Sequence, residues 1–109
     1  MPVRPSIAVV VAQKLADSLR EPVAIGSHLD TQICGGRYDG ILGVLCGLEV
    51  VRTLNDFNYE TQRPVEVAVW TNEEGSRFQP TTMGSAVFAG TIPIDQALSA
   101  TDVHAVFRA

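Results

Sequence analysis

Five side chains able to hold a metal ion or move a proton lie in three short polar stretches: His28 with Asp30, Asp39, and Glu73 with Glu74. His28 and Asp30 are two apart on what reads as extended chain, where alternate side chains share a side. A metal-bound imidazole usually donates its second ring N–H to an oxygen that fixes its tautomer, and an aspartate at this spacing suits that task. The same pair also makes sense as a hydrogen-bonded couple with no metal. Asp39 stands at the start of a long helical segment, where a carboxylate serves as an N-cap favoured by the helix's positive end. It also suits a second role, bridging two cations through its two oxygens.

Glu73 and Glu74 follow an apolar stretch and read either as a solvated turn or as a divided pair, one ligand and one base. Arg37 and Arg77 are the only cations near these acids. Carboxylates gathered without partners repel one another, and a divalent cation is the usual remedy, so metal is preferred to a salt bridge. Gly35-Gly36 ahead of the helix raises a phosphate-binding loop as a rival. The spacing to Gly40 fits neither glycine-rich signature, and Asp39 puts negative charge where a phosphate would sit.

The elements that must bring these residues together form a βαβ pattern. Val23, Ala24 and Ile25 predict a short strand running into Gly26-Ser27-His28-Leu29-Asp30, and Thr31 to Tyr38 predicts a loop. From Asp39-Gly40 to Asn55, the residues Ile41, Val44, Leu45, Leu48, Val51 and Leu54 recur at helical spacing as a core-facing stripe. Gly43 and Gly47 cost that helix roughly 1 kcal/mol each relative to alanine, a cost tolerated where a backbone must come close to a neighbour. Val65, Val67 and Val69 alternate with Glu66 and Ala68 in a second strand, which ends at Trp70 before the two glutamates. Short helices are expected at Thr82 to Ala89, closed by Gly90, and at Ile94 to Ala100. Ser6 to Arg20 is assigned to helix from its apolar spacing, although Ile7 to Val11 is also a β-branched run typical of strands. Parallel pairing of the two central strands puts His28, Asp30, Asp39, Glu73 and Glu74 at one carboxyl edge, where ligands bind in such folds.

The totals narrow the possibilities. At 109 residues there is room for one small domain, and 46% hydrophobic with 18% charged residues is a globular composition. The apolar share is high for so small a body, as in a piece cut from a larger protein. A net charge of −4, a pI near 4.9 and no Lys/Arg cluster remove the footprint of a nucleic-acid binder. Cys34 and Cys46 fit neither a CxxC spacing nor a disulfide framework, which favours a reducing cytoplasm. The apolar run Ile7 to Ala12 is too short to span a membrane.

Four segments, Gly26-Ser27-His28-Leu29-Asp30-Thr31-Gln32, Gly35-Gly36-Arg37-Tyr38-Asp39-Gly40, Gly47 to Leu54 and Thr71-Asn72-Glu73-Glu74-Gly75-Ser76-Arg77-Phe78, closely resemble the zinc aminoacylase/carboxypeptidase superfamily. Within it the chain is similar to the branch of N-carbamoyl-L-amino-acid hydrolase, allantoate amidohydrolase and β-ureidopropionase. The resemblance runs from about Val23 to Gly90 and includes Met83-Gly84-Ser85 and Phe88-Ala89-Gly90.

The resemblance implies a partial three-layer α/β/α catalytic domain with a mainly parallel sheet, spanning residues 1–109 and lacking the family's dimerisation domain. It makes His28 a ligand of one metal with Asp30 orienting it, Asp39 the bridging ligand, Glu74 a ligand of the second metal and Glu73 the general base. Two divalent ions (zinc, manganese or cobalt) would then activate a water whose proton Glu73 accepts before returning it to the leaving nitrogen. The implied substrate is a small N-carbamoyl, ureido or allantoate-type molecule, and complete members are expected to be homodimers. Two further histidine ligands are expected from segments beyond those present here. His104 lies in a tail, Ala100 to Ala109, that is not aligned with the family and is not counted as a ligand. Cys34, in the loop near Asp39, reads as a spectator. The alternatives are a non-catalytic fragment that holds at most one metal weakly, or a related aminoacylase or peptidase.

Overall fold

Pro22 and Pro64 each precede an apolar run, and each run becomes a strand: β2 over Val23–His28 and β3 over Val65–Trp70. The computed structural model describes residues 8–10 and 21–102. The two strands start level because Val23 donates its N–H to the carbonyl of Pro64 at 2.8 Å, while Arg63 Nε donates to the carbonyl of Glu21 at 2.7 Å. They run parallel in a register that makes Val23 the partner of Val65 and His28 the partner of Trp70. They therefore end level too, and the polar segments that follow them leave the sheet at one edge.

A third strand, β1 over Ala8–Val10, pairs antiparallel with the other side of β3, giving the order β1-β3-β2. This corrects the helix expected across Ser6 to Arg20. The β-branched character of that stretch prevails at Ala8–Val10, where the open edge of β3 offers backbone hydrogen bonds that a helix would leave unmade. The rest of that expected helix lies outside the described residues. The expected parallel pairing of β2 with β3 thus forms the centre of the sheet, and the three-residue β1 adds to it antiparallel.

Helix α1, Ile41–Asp56, connects β2 to β3 and packs on both. Its buried positions are Val44 and Gly47, with Ile41, Val51 and Leu54 half-buried, whereas Leu45 is 53% exposed and Leu48 38% exposed. The inward stripe is therefore rotated from the one expected, since the helix meets the sheet through its glycines. A Cβ added at Gly43 would lie 2.6 Å from the Cβ of Ser27, so the strand lies too near for any side chain there.

Helices α2, Met83–Phe88, and α3, Ile94–Leu98, follow β3. Val67 faces α1, where its methyls lie against Gly47; the alternate side chains turn the other way, and Trp70 meets Phe88 of α2 with ring centroids 5.2 Å apart. The sheet thus has α1 on one face and α2 on the other, an α/β layering. Strand β3 is covered from both sides, which explains why Val67 and Ala68 are both buried although they are neighbours. Among the described residues, Met83, Ala97, Val44 and these two form the apolar core. No described helix is long and apolar enough to cross a membrane.

Candidate metal centre

His28 is the last residue of β2, and its imidazole is buried although the ring is polar. Its Nδ1 lies 2.9 Å from the carbonyl oxygen of Asp30, which can only accept, so Nδ1 carries the proton. In the neutral tautomer that this bond selects, the lone pair is on Nε2. That atom faces three acids: it is 3.6 Å from Asp39 Oδ1 and 3.4 Å from Glu73 Oε2, and Glu74 lies beyond. One ligand atom each from His28, Asp39 and Glu74 falls within 4.8 Å of the others.

Asp39 does not cap α1. Gly40 occupies the cap position with φ 74°, and no side chain hydrogen-bonds the exposed end of the helix, so the Asp39 carboxylate remains turned to His28. Gly40 is required twice over. Its backbone lies in the left-handed region, and a Cβ there would stand 2.5 Å from His28 Nδ1 and Cε1. The glycine lets the helix start directly against the imidazole.

The Glu73 and Glu74 carboxylates both gather on the His28 side. The strand has ended by then, because Asn72 adopts φ 54° and turns the chain. Asn72 is buried and was not singled out in the sequence. Its side-chain amide donates to the carbonyls of Phe78 at 2.8 Å and Pro80 at 3.0 Å, closing the loop that carries the glutamates. The signal available was its residue type, since asparagine tolerates the left-handed region better than most residues.

Asp30 is drawn into the cluster, with its carboxylate receiving the backbone N–H groups of Glu73 and Glu74 at 3.1 Å each. Its Oδ1 stands 3.7 Å from His28 Nδ1, beyond hydrogen-bond range. Arg77 is held by Asp102 at 2.7 Å. Among the described residues, no lysine or arginine pairs with Asp39, Glu73 or Glu74. The electrostatic result falls on Glu74, whose pKa is raised above the usual carboxylate value. Loss of solvent around it is the leading cause and the charge of Asp39 the next, with His28 acting in the opposite sense. Glu74 Oε1 is buried and has no hydrogen-bond partner. Cys34 is exposed and is not among these residues, and His104 lies outside the described residues.

The chain is 56% identical over 81 residues to an N-carbamoyl-L-amino-acid amidohydrolase of Rhizobium meliloti, covering 74% of this chain and 20% of the relative. It is 43% identical over 84 residues to an allantoate deiminase of Arabidopsis thaliana, covering 75% of this chain and 16% of that protein. The crystal structure of a hydantoinase/carbamoylase family amidase from Burkholderia ambifaria superposes with a TM-score of 0.82 at 53% identity, over 90% of this chain and 26% of the amidase. The chain thus spans about a fifth of the length of the curated relatives it matches. The profile of peptidase family M20/M25/M40 matches residues 24–109, which extends the likeness past Gly90 through the tail left unaligned by its motifs. With that match over most of its length, and an amidase fold that follows it at half identity, the chain belongs to peptidase family M20/M25/M40.

Proposed function

We propose that this chain carries part of the active centre of a metal-dependent amidohydrolase that cleaves non-peptide C–N bonds in N-carbamoyl amino acid, ureido or allantoate-type substrates. One observation carries the reading: ligand atoms of His28, Asp39 and Glu74, from three separate stretches of chain, fall within 4.8 Å of one another. The donor set fits a divalent cation. Nε2 of His28 is turned to the acids, and the buried Glu74 Oε1 has no protein donor to satisfy it, a condition that a cation would relieve. The activities named for the Rhizobium and Arabidopsis relatives support the substrate class.

In this reading residues 1–109 form the metal-binding portion of a catalytic domain. His28, Asp39 and Glu74 would hold the full complement of two divalent ions, zinc, manganese or cobalt, with Asp39 serving both. Such ions would supply Lewis acidity to the scissile carbonyl and to the attacking water. Glu73 accepts the water's proton at a carboxylate oxygen and returns it to the leaving nitrogen, the work of a general base that becomes a general acid. Its Oε2, 3.4 Å from His28 Nε2, stands beside the ligand group without belonging to it.

The test is to load the 109-residue chain with zinc, manganese or cobalt and count bound ions. At least one ion per chain is expected, and His28→Ala is expected to remove it. A chain that retains no divalent ion at micromolar concentration sinks the proposal.

A further inference from the structure

Glu73 and Glu74 lie 43 and 44 residues from Asp30 in sequence, yet both rest on it. Asp30 offers three oxygens and each has its own donor. The backbone carbonyl takes the proton of His28 Nδ1 at 2.9 Å, Oδ1 takes the N–H of Glu73 at 3.1 Å, and Oδ2 takes the N–H of Glu74 at 3.1 Å. The carboxylate itself is 3.7 Å from the imidazole, beyond hydrogen-bond range. We propose that Asp30 is a positioning residue whose carboxylate binds the backbone of Glu73 and Glu74, while its main-chain carbonyl accepts the imidazole proton of His28.

Two N–H groups on one ionised carboxylate form a bidentate, charge-assisted clamp that fixes direction as well as distance. The clamp closes on the far side as well, because the carbonyl of Glu73 accepts the N–H of Thr82 at 2.7 Å. The Glu73 peptide is thus held at both its N–H and its C=O, with only the side chain free to act. A carboxylate whose two oxygens are so engaged is also removed from the ligand set, and the group of convergent ligand atoms does not include it. The structural part of this inference stands without any metal, and its consequence for metal binding rests on the function proposed above.

The test uses the 109-residue chain labelled with ¹⁵N and ¹³C. In the metal-free wild type, couplings across hydrogen bonds are expected from the Glu73 and Glu74 amide nitrogens to the Asp30 carboxyl carbon, and their absence overturns the clamp. Asp30→Asn keeps the shape but loses one acceptor. Exchange of the Glu73 or Glu74 amide is expected to speed up about 10-fold to 100-fold, while the Val67 amide in β3 is unchanged. Cobalt affinity is expected to fall about 10-fold to 100-fold in the same variant. Unchanged exchange at both glutamate amides, or unchanged cobalt affinity with the fold intact, overturns the positioning role. If Asp30→Asn fails to fold, the wild-type couplings decide. If the wild type binds no cobalt, the metal reading fails, and the couplings still stand for the clamp or against it.

Discussion

Nε2 of His28 and Oδ1 of Asp39 stand 3.6 Å apart, too far for a good hydrogen bond and close to the spacing of two ligands on one ion. Around a tetrahedral zinc with bonds of about 2.0–2.1 Å, ligand atoms sit roughly 3.3 Å from one another. Ligand atoms of His28, Asp39 and Glu74 already lie within 4.8 Å of one another. The backbone is already set by the β2–β3 register and by Gly40.

A cation that binds only the folded chain must stabilise it. At a free concentration of 100 times its Kd, zinc is expected to add about 2.7 kcal/mol to the unfolding free energy. Urea denaturation with and without metal measures this, and a chelator should reverse it. Identical curves in zinc and in chelator would rule out a folded-state site.

The raised pKa of Glu74 sets a direction for pH. A carboxyl that holds its proton more tightly when folded favours the folded state below its unfolded pKa. That contribution is lost as pH rises through the folded value. Glu74→Gln is expected to make the metal-free chain more stable than wild type near pH 7, with the gap closing on acidification, and to weaken metal binding. Thermal melts of both chains from pH 4 to pH 8 check it; a variant less stable than wild type at pH 7 contradicts it.

Gly40→Ala puts a Cβ against the His28 ring and forces alanine into the left-handed region. A loss of at least about 1 kcal/mol is expected from the backbone alone, with a drop in cobalt affinity as the imidazole moves. Denaturant titration and cobalt absorbance read the two effects separately.

Asn72→Gly keeps the turn and removes two hydrogen bonds, leaving the carbonyls of Phe78 and Pro80 without their amide donor. The expected cost is about 2 kcal/mol. A variant as stable as wild type by urea denaturation would show that the loop is held by other means.

Ammonia release from an N-carbamoyl amino acid by the 109-residue chain alone is expected to be undetectable. The described cluster brings one imidazole together with three carboxylates, and the chain spans about a fifth of its relatives' length. A colorimetric ammonia assay on the metal-loaded chain tests this, and measurable turnover would overturn it.

Much of this centre could be read from residue order because β2, α1 and β3 carry strong periodic patterns, and parallel pairing then fixes where their ends fall. What escaped has physical reasons. Apolar periodicity gives weight to large side chains, so it pointed α1 inward through Leu45 and Leu48, whereas contact through Gly43 and Gly47 turns those leucines outward. Ala8–Val10 is three residues long, too short for any period to separate strand from helix, and its pairing partner is almost 60 positions away in the chain. Asn72 holds the loop through its amide and its left-handed backbone, neither of which leaves a hydrophobic signature.

His28 and Trp70 being opposite one another has a consequence for how this centre tolerates change. Adding one residue within β2 would swing the imidazole to the opposite face of the sheet, away from every acid now near it. Removing two would keep the face but pull the ring back by about 7 Å. Insertions and deletions in this six-residue strand should therefore abolish the centre even when the strand still pairs.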